Sequence, residues 1–121
     1  MANEITVNLS SISYTKGNVV INITPTPSPA VLSATGLHSV HDTLSLSTSD
    51  TTLSKGNIGT MGWIYLKNLD NTNNIQISDD GTVYAMMLKP GEYSWVRWNA
   101  AAIHAKATAG TPQLEYAIFE D

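Results

Sequence analysis

The sequence predicts an all-β protein, an antiparallel β-sandwich of about eight to ten short strands. Apolar and polar residues alternate along most of the chain, which is the period of a half-buried strand. Turn signals recur every 8–12 residues or so, as in sandwiches and barrels. Charged residues make up only 13% of the chain, against about 25% in a typical globular domain, and Ser, Thr and Asn replace them. With 121 residues, we predict one β-sandwich domain over residues 1–121.

The first half of the chain predicts amphipathic strands separated by turns. Alternation in EITVNLSSISY places three apolar side chains on one face: Ile5, Val7 and Leu9. The run NVVINIT repeats the design, and we expect its apolar side chains to point inward: Val19, Ile21 and Ile23. Lys16-Gly17-Asn18 is a turn signal between the two runs. The Ser/Thr-rich zone over residues 37–53 carries Val40, Leu44 and Leu46 in alternate register, which predicts one or two further strands.

The second half is more hydrophobic. TMGWIYLKNL is apolar on both faces, with Ile64 and Leu66 on one and Met61, Trp63 and Tyr65 on the other. We expect such a strand to be covered on both sides, either by layers of its own domain or by another subunit. Five later runs also predict strands: NIQIS, VYAMML, YSWVRW, IHAKA and QLEYAIF.

The segment Lys89-Pro90-Gly91-Glu92 predicts a type II turn, because Pro fixes φ and Gly takes the positive φ. Tight hairpins prefer the primed turns instead. We therefore expect Leu88 and Tyr93 to flank a corner between two sheets.

Composition excludes several function classes. The net charge is −4 and the six Lys and Arg residues are scattered, which disfavours a nucleic-acid or anionic membrane partner. The chain has no cysteine, which excludes disulfides and thiolate chemistry. The start MANEITVNL has neither a basic region nor a long apolar run, and we expect no signal peptide and no membrane span.

Catalytic and metal-binding patterns are weak. His38 and His41 have an odd spacing that puts their rings on opposite faces of a strand, so they would not bind one metal ion together. We expect His104 to be a surface histidine. No nucleophile elbow accompanies the serines, and Asp79 and Asp80 are neighbours in a turn rather than a facing pair. The loop over residues 70–74 lacks the Gly and distal Glu of an EF-hand. We expect no enzymatic activity, no cofactor and no metal.

Aromatic residues are concentrated around LKPGEYSWVRW. Alternation puts Tyr93, Trp95 and Arg97 on one face of this strand, and Ser94, Val96 and Trp98 on the other. Arg97 could stack on Trp95 as a cation–π pair. Aromatic residues and Arg are enriched in protein interfaces, so five residues are the predicted oligomer or partner interface: Trp63, Tyr65, Tyr93, Trp95 and Arg97. A glycan-binding platform and an intradomain core remain alternatives.

The layout resembles that of small structural proteins of tailed bacteriophages. Their pattern appears here, in order, as MANEITV, GTMGWIYLKNLDNTN (59–73), LKPGE (88–92) and LEYAIFED (114–121). The similarity covers the whole chain and is strongest from Ile58 onward. Family members have fewer tryptophans around LKPGE, so the Trp95 and Trp98 pair sets this chain apart.

The resemblance implies a non-enzymatic virion protein with a jelly-roll-like sandwich, acting as a head decoration, fibre or tail component. The expected partners are copies of itself, with a trimer favoured, and other virion proteins such as the major capsid protein. A host glycan is the alternative partner. The expected location is the virion, after synthesis in the bacterial host cytoplasm.

Overall fold

The computed structural model describes residues 4–26 and 30–121, so the first three residues of MANEITV lie outside it. Within these ranges the chain forms twelve antiparallel strands and no helix, which confirms the all-β prediction. The strand count exceeds the expected eight to ten because several strands have only two or three residues, too few to show alternation. No helix of the described chain is long and apolar enough to cross a membrane.

Chain contacts divide the protein into two compact units, Met1–Thr35 and Gly36–Asp121. The first contains strands β1 (Ile5–Val7), β2 (Ile12–Lys16), β3 (Val19–Ile23) and β4 (Ala30–Leu32). Strands β1 and β4 pair with each other, and β2 and β3 form a hairpin around the predicted Gly17-Asn18 turn. The prediction of a single domain over residues 1–121 stays a prediction.

The expected inward orientation of Val19, Ile21 and Ile23 is wrong for this structure, because all five residues of β3 are exposed. Its partner β2 is also exposed along its whole length. The alternation correctly predicted the strand, but its apolar face is exposed among residues 4–26 and 30–121.

The second unit is a sandwich of two four-stranded sheets. Its strands are β5 (Ser39–Ser45), β6 (Thr51–Thr52), β7 (Met61–Asn68), β8 (Ile75–Ser78), β9 (Met86–Leu88), β10 (Tyr93–Arg97), β11 (His104–Ala107) and β12 (Gln113–Glu120). The first sheet has the order β10-β7-β12-β5 and the second β6-β11-β8-β9. The carboxy-terminal strand β12 therefore pairs within its own sheet, between β5 and β7.

The core lies between these two sheets. Strands of the first sheet contribute Ile64, Leu66, Leu114, Tyr116 and Ile118, and strands of the second contribute Ile75, Ile77, Leu88, Ala105 and Ala107. Val40 and Leu44 pack against this cluster and Leu46 belongs to it, which confirms the register expected for β5. Alternate residues of each strand face inward, so the intervening residues form the outer faces.

The motifs LKNLD and LKPGE meet at one corner of the sandwich. Strand β9 lies in the second sheet and β10 in the first, so the turn between them joins the two sheets, as predicted. Gly91 has a φ of 81°, and the amide of Glu92 donates to the carbonyl of Lys89 at 3.0 Å. The amide of Gly91 donates to the carbonyl of Asn68, and the amide of Asn68 to the carbonyl of Glu92. These hydrogen bonds tie the turn to the end of β7.

Candidate functional site

The outer face of the first sheet carries all five residues of the predicted interface. Strand register arranges twelve residues in three rows, and we call this set the outer face: Arg97–Trp63–Phe119–Ser39, Trp95–Tyr65–Ala117–His41 and Tyr93–Lys67–Glu115–Thr43. Three different strands bring the aromatic residues together. Their inward neighbours Ile64, Leu66 and Ile118 are fully buried, which holds the sheet in place beneath the outer face.

Three aromatic rings form a cluster on this face. The rings of Trp63 and Trp95 are stacked, with centroids 5.3 Å apart and planes within 3° of parallel. Phe119 lies against Trp95 at 5.9 Å with an interplanar angle of 56°. Trp63 and Trp95 are diagonal neighbours on adjacent strands, a separation that large side chains can bridge. Offset and tilted pairs of this kind each contribute about 0.5–1.5 kcal/mol beyond the area they bury.

Arg97 lies over Trp63 rather than over Trp95. Its guanidinium carbon is 5.5 Å from the Trp63 ring centroid, and Nη2 forms an ion pair with Asp121. The prediction of a stack on Trp95 is therefore wrong. Residues two apart on one strand lie further from each other than directly opposed residues on paired strands, and Arg97 is directly opposite Trp63.

Polar and charged side chains surround the aromatic cluster. Nε2 of His41 is 2.8 Å from Oε2 of Glu115. Burial raises the pKa of Tyr65, and the nearby negative charge of Glu115 raises it further. Tyr93 is 64% exposed, so its ring is available to a partner. An apolar centre with a polar margin is the arrangement found in protein interfaces.

Of two further residues of the hydrophobic second half, one packs against the core and remains partly exposed, and the other lies in the core. Trp98 packs against the core cluster, and its Nε1 donates to the carbonyl of Ala102 at 2.9 Å. Met61 is buried in the same cluster, although strand alternation groups it with Trp63 and Tyr65. The pairing of β7 with β12 shifts register between Phe119 and Glu120, and such an irregularity changes the face on which the following residues lie.

The three histidines each contact a different carboxylate. Nδ1 of His38 is 2.8 Å from Oε1 of Glu120, whereas His41 contacts Glu115. His104 faces away from buried Ile103 and Ala105, as predicted, and its Nδ1 lies 3.0 Å from Oδ2 of Asp50. Among residues 4–26 and 30–121, no group of three or more His, Cys, Asp or Glu side chains could hold a metal ion.

Glu120 joins the start of the sandwich unit to its last strand. Oε1 accepts hydrogen bonds from the amides of Leu37 and His38, and Oε2 accepts one from Gly59 at 2.7 Å. The Gly59 amide and the His38 ring lower the pKa of Glu120 to about 2. The carboxylate thus serves as a structural acceptor rather than as a free acid.

A second polar group lies on the outer side of the second sheet. The Tyr84 hydroxyl donates to Oδ1 of Asp50, and Nζ of Lys106 is 4.3 Å from the centroid of the Tyr84 ring. Burial and the bond to Asp50 raise the pKa of Tyr84 to about 12. These contacts pin the loops around Asp50 and Tyr84 to strand β11 by way of His104 and Lys106.

A cleft of about 480 Å³ opens beside Trp98. Its lining includes the apolar side chains of Val83 and Met86 and the polar side chains of Asp79 and Asn99. Concave sites of this size, mostly apolar with a few polar groups, can hold a small ligand.

The carboxylates of the predicted turns accept hydrogen bonds from backbone amides. Oδ2 of Asp70 accepts from Thr72 at 3.1 Å and from Asn73 at 2.6 Å. Oδ1 of Asp80 accepts from Thr82 and Val83. These bonds lower the pKa of both carboxyl groups. In both loops, the carboxylate is thus hydrogen-bonded to backbone amides of its own turn.

Sequence reasoning located five residues of the outer face, but it missed the members on β12, among them Phe119 and Glu115, and the ion-pair partner of Arg97, Asp121. Alternation in LEYAIFED does place Glu115, Ala117 and Phe119 on one face, but it does not indicate that β12 lies beside β7. No family model, curated protein sequence or solved structure matches the chain.

Proposed function

We propose that this chain is a non-enzymatic structural protein of a bacteriophage virion that assembles as a homo-oligomer through its outer face. The observation that supports it best is the stacked aromatic cluster on an outer sheet face. Trp63, Trp95 and Phe119 form this cluster, and Arg97 and Asp121 form an ion pair beside it. Aromatic residues and Arg are the types that dominate interface energetics.

The strand order of the sandwich also supports this role. If strands β5 to β12 are renumbered 1 to 8, the first sheet has the order 6-3-8-1 and the second sheet the order 2-7-4-5. The first strand of the sandwich, β5, is therefore paired with the last strand, β12. This order favours the finer assignment of a jelly roll, a fold used by viral capsid and lectin domains. The fold is compatible with both a capsid role and a glycan-binding role, so the function is argued from the site.

The motifs behind the resemblance to phage proteins have a shared structural role. Asn68 of LKNLD and Gly91 of LKPGE are hydrogen-bonded to each other at one corner. The two motifs are therefore parts of one hydrogen-bonded corner that joins the two sheets. This supports treating them together as one signature rather than as separate turns.

The assembly role is tested by comparing Trp95→Ala with Met87→Ala in the full chain. Met87 is an exposed apolar residue on strand β9 of the other sheet, so it is a matched control. Light scattering after size-exclusion chromatography should show a smaller assembly for Trp95→Ala, with the β-sheet amide I band of the infrared spectrum unchanged. An unchanged mass would refute the outer face as the interface.

The virion location requires a separate experiment. Immunogold electron microscopy of phage particles from the source, with antibody against this chain, should label the particles. Label over the head would indicate a decoration protein, and label on the tail or fibre tips would favour receptor binding. Intact particles without label, beside a control antibody that does label them, would contradict the virion role.

Glycan binding is the second candidate, and the cleft beside Trp98 favours it. A tryptophan ring can stack on a sugar, while the carboxylate of Asp79 and the amide of Asn99 can bond its hydroxyl groups. Titration with a panel of sugars should then quench tryptophan fluorescence in the native chain and not in Asp79→Ala. A lack of response to every sugar would leave the interface as the function supported by the site.

A further inference from the structure

In the part of the chain that the structure describes, the amino-terminal hairpin presents an exposed apolar face. Its register pairs Ile12 with Ile23, Tyr14 with Ile21 and Lys16 with Val19, and side chains of directly opposed residues share one side of a strand pair. We call the apolar members of this side the hairpin face: Ile12, Tyr14, Val19, Ile21 and Ile23. Each is between 48% and 52% exposed.

The opposite side of the hairpin is largely polar. It carries Ser13, Thr15 and Asn22 together with Val20, and the hydroxyl of Ser13 donates to Oδ1 of Asn22 across the strands at 2.9 Å. The hairpin thus has the two-sided pattern of one sandwich layer that lacks its second layer. An isolated two-stranded hairpin is marginal in water unless its apolar face is packed against something.

We propose that the hairpin face packs against the same face of a second copy of this chain, related by a twofold axis. Five residues that are about half exposed leave at most on the order of 500 Å² per copy, when the roughly 200 Å² of an aromatic side chain is taken as the upper bound for each. Two copies would then cover about 1,000 Å², the lower limit for a specific interface. A twofold contact needs only one self-complementary patch.

The charge on this side of the hairpin determines the orientation of the two copies. Lys16 lies at the turn end of the hairpin and is its one charged residue on this side. In an antiparallel arrangement each Lys16 lies near the open end of the other hairpin, where Ile12 and Ile23 pair. A parallel arrangement would bring two ammonium groups together and is disfavoured. The antiparallel arrangement places the central row, Tyr14 and Ile21, at the axis.

The chain has no cysteine, so a single introduced thiol reports this contact directly. Ile21→Cys lies in the hairpin face near the axis, and Val20→Cys is the adjacent residue on the opposite side. Both full-length variants are oxidised at low concentration and followed by non-reducing electrophoresis and intact mass. Ile21→Cys is expected to form the disulfide-linked dimer at least tenfold faster than Val20→Cys.

Analytical ultracentrifugation gives a second readout without any cross-link. Ile21→Thr should raise the dissociation constant of the dimer at least tenfold, while Val20→Thr leaves it unchanged, because both substitutions keep a β-branched residue in the strand. Equal cross-linking of the two cysteine variants, or none, would overturn the proposal. A monomer in which the Ile21→Cys thiol is protected from a maleimide would assign the hairpin face to the chain's own sandwich, and would also overturn it.

The hairpin contact and the outer-face assembly can fail separately. The hairpin proposal concerns residues 12–23, whereas the proposed virion interface is centred on Trp95. Adding Trp95→Ala to the Ile21→Cys variant should reduce the assembly mass without slowing the cross-link. A cross-link lost with Trp95→Ala would show that the outer face holds the hairpins together and would overturn an independent contact.

Discussion

Replacement of Asn68 by alanine should destabilise the sandwich by about 3 kcal/mol. Asn68 is fully buried at the end of β7, and its side chain makes three hydrogen bonds. Nδ2 donates to the carbonyls of Asn73 and Leu88 at 2.9 and 3.0 Å, and Oδ1 accepts from the amide of Asp70 at 2.9 Å. Each net hydrogen bond contributes about 0.5–1.5 kcal/mol, and groups left unpaired in the interior add to the cost.

Urea unfolding followed by tryptophan fluorescence measures this cost. All three tryptophans lie within Gly36–Asp121, so the signal reports the sandwich unit. The urea concentration at the midpoint of unfolding should fall, while the dependence of the unfolding free energy on urea concentration stays unchanged. In a thermal melt, the melting temperature should drop by roughly 12–24 °C. Asn71→Ala, at an exposed position of the same loop, should change stability by no more than about 0.5 kcal/mol. If Asn68→Ala lowered the free energy of unfolding by less than about 1 kcal/mol, the three hydrogen bonds of this side chain would not be what stabilises the corner.

Three further predictions concern pH, backbone strain and ring stacking. The pKa of Glu120 is about 2 in the folded chain against an ordinary 4.5. The ionised carboxylate therefore adds to the free energy of unfolding above pH 4.5, and this stabilisation is lost as the pH falls toward 2. The melting temperatures of the native chain and Glu120→Gln should therefore converge on acidification, and a gap that stays constant with pH would contradict this. Gly81 and Gly91 both have positive φ, but only at Gly81 would a Cβ lie 2.9 Å from Nδ1 of His104. In urea unfolding, Gly81→Ala should therefore cost more than Gly91→Ala, for which about 1 kcal/mol of backbone strain is expected, and equal losses would argue against the clash. Trp95→Phe should abolish the far-UV exciton couplet of the stacked indoles, and a couplet that persists would mean that another pair produces it.

The two proposed assembly surfaces have different chemical characters. The outer face combines stacked rings with the charged side chains of Arg97, Lys67 and Glu115, so its association should weaken only partly in high salt. The hairpin face is aliphatic apart from Tyr14 and carries a single charge at one end. Its association depends on buried apolar area. Salt dependence therefore offers a way to separate the two contacts in the native chain.

Local patterning was sufficient for the fold class and for most turns. Alternation over β5 and β10, and over β7 apart from Met61, predicted which residues of each strand share a face, because successive side chains of any strand point to opposite sides. Pro90 and Gly91 predicted the turn that joins the two sheets, because their φ preferences are intrinsic to the residues. Tyr93, Trp95 and Arg97 were correctly assigned to one face for the same local reason.

The tertiary structure alone decided which strands became neighbours. The stack of Trp63 on Trp95, the contact of Phe119 and the position of Arg97 all depend on pairing between strands far apart in sequence. A register shift buried Met61, and the lack of a covering layer left Ile21 exposed. The alternating pattern shows that a strand has an apolar side, but only long-range packing decides whether that side meets a core, another chain or water.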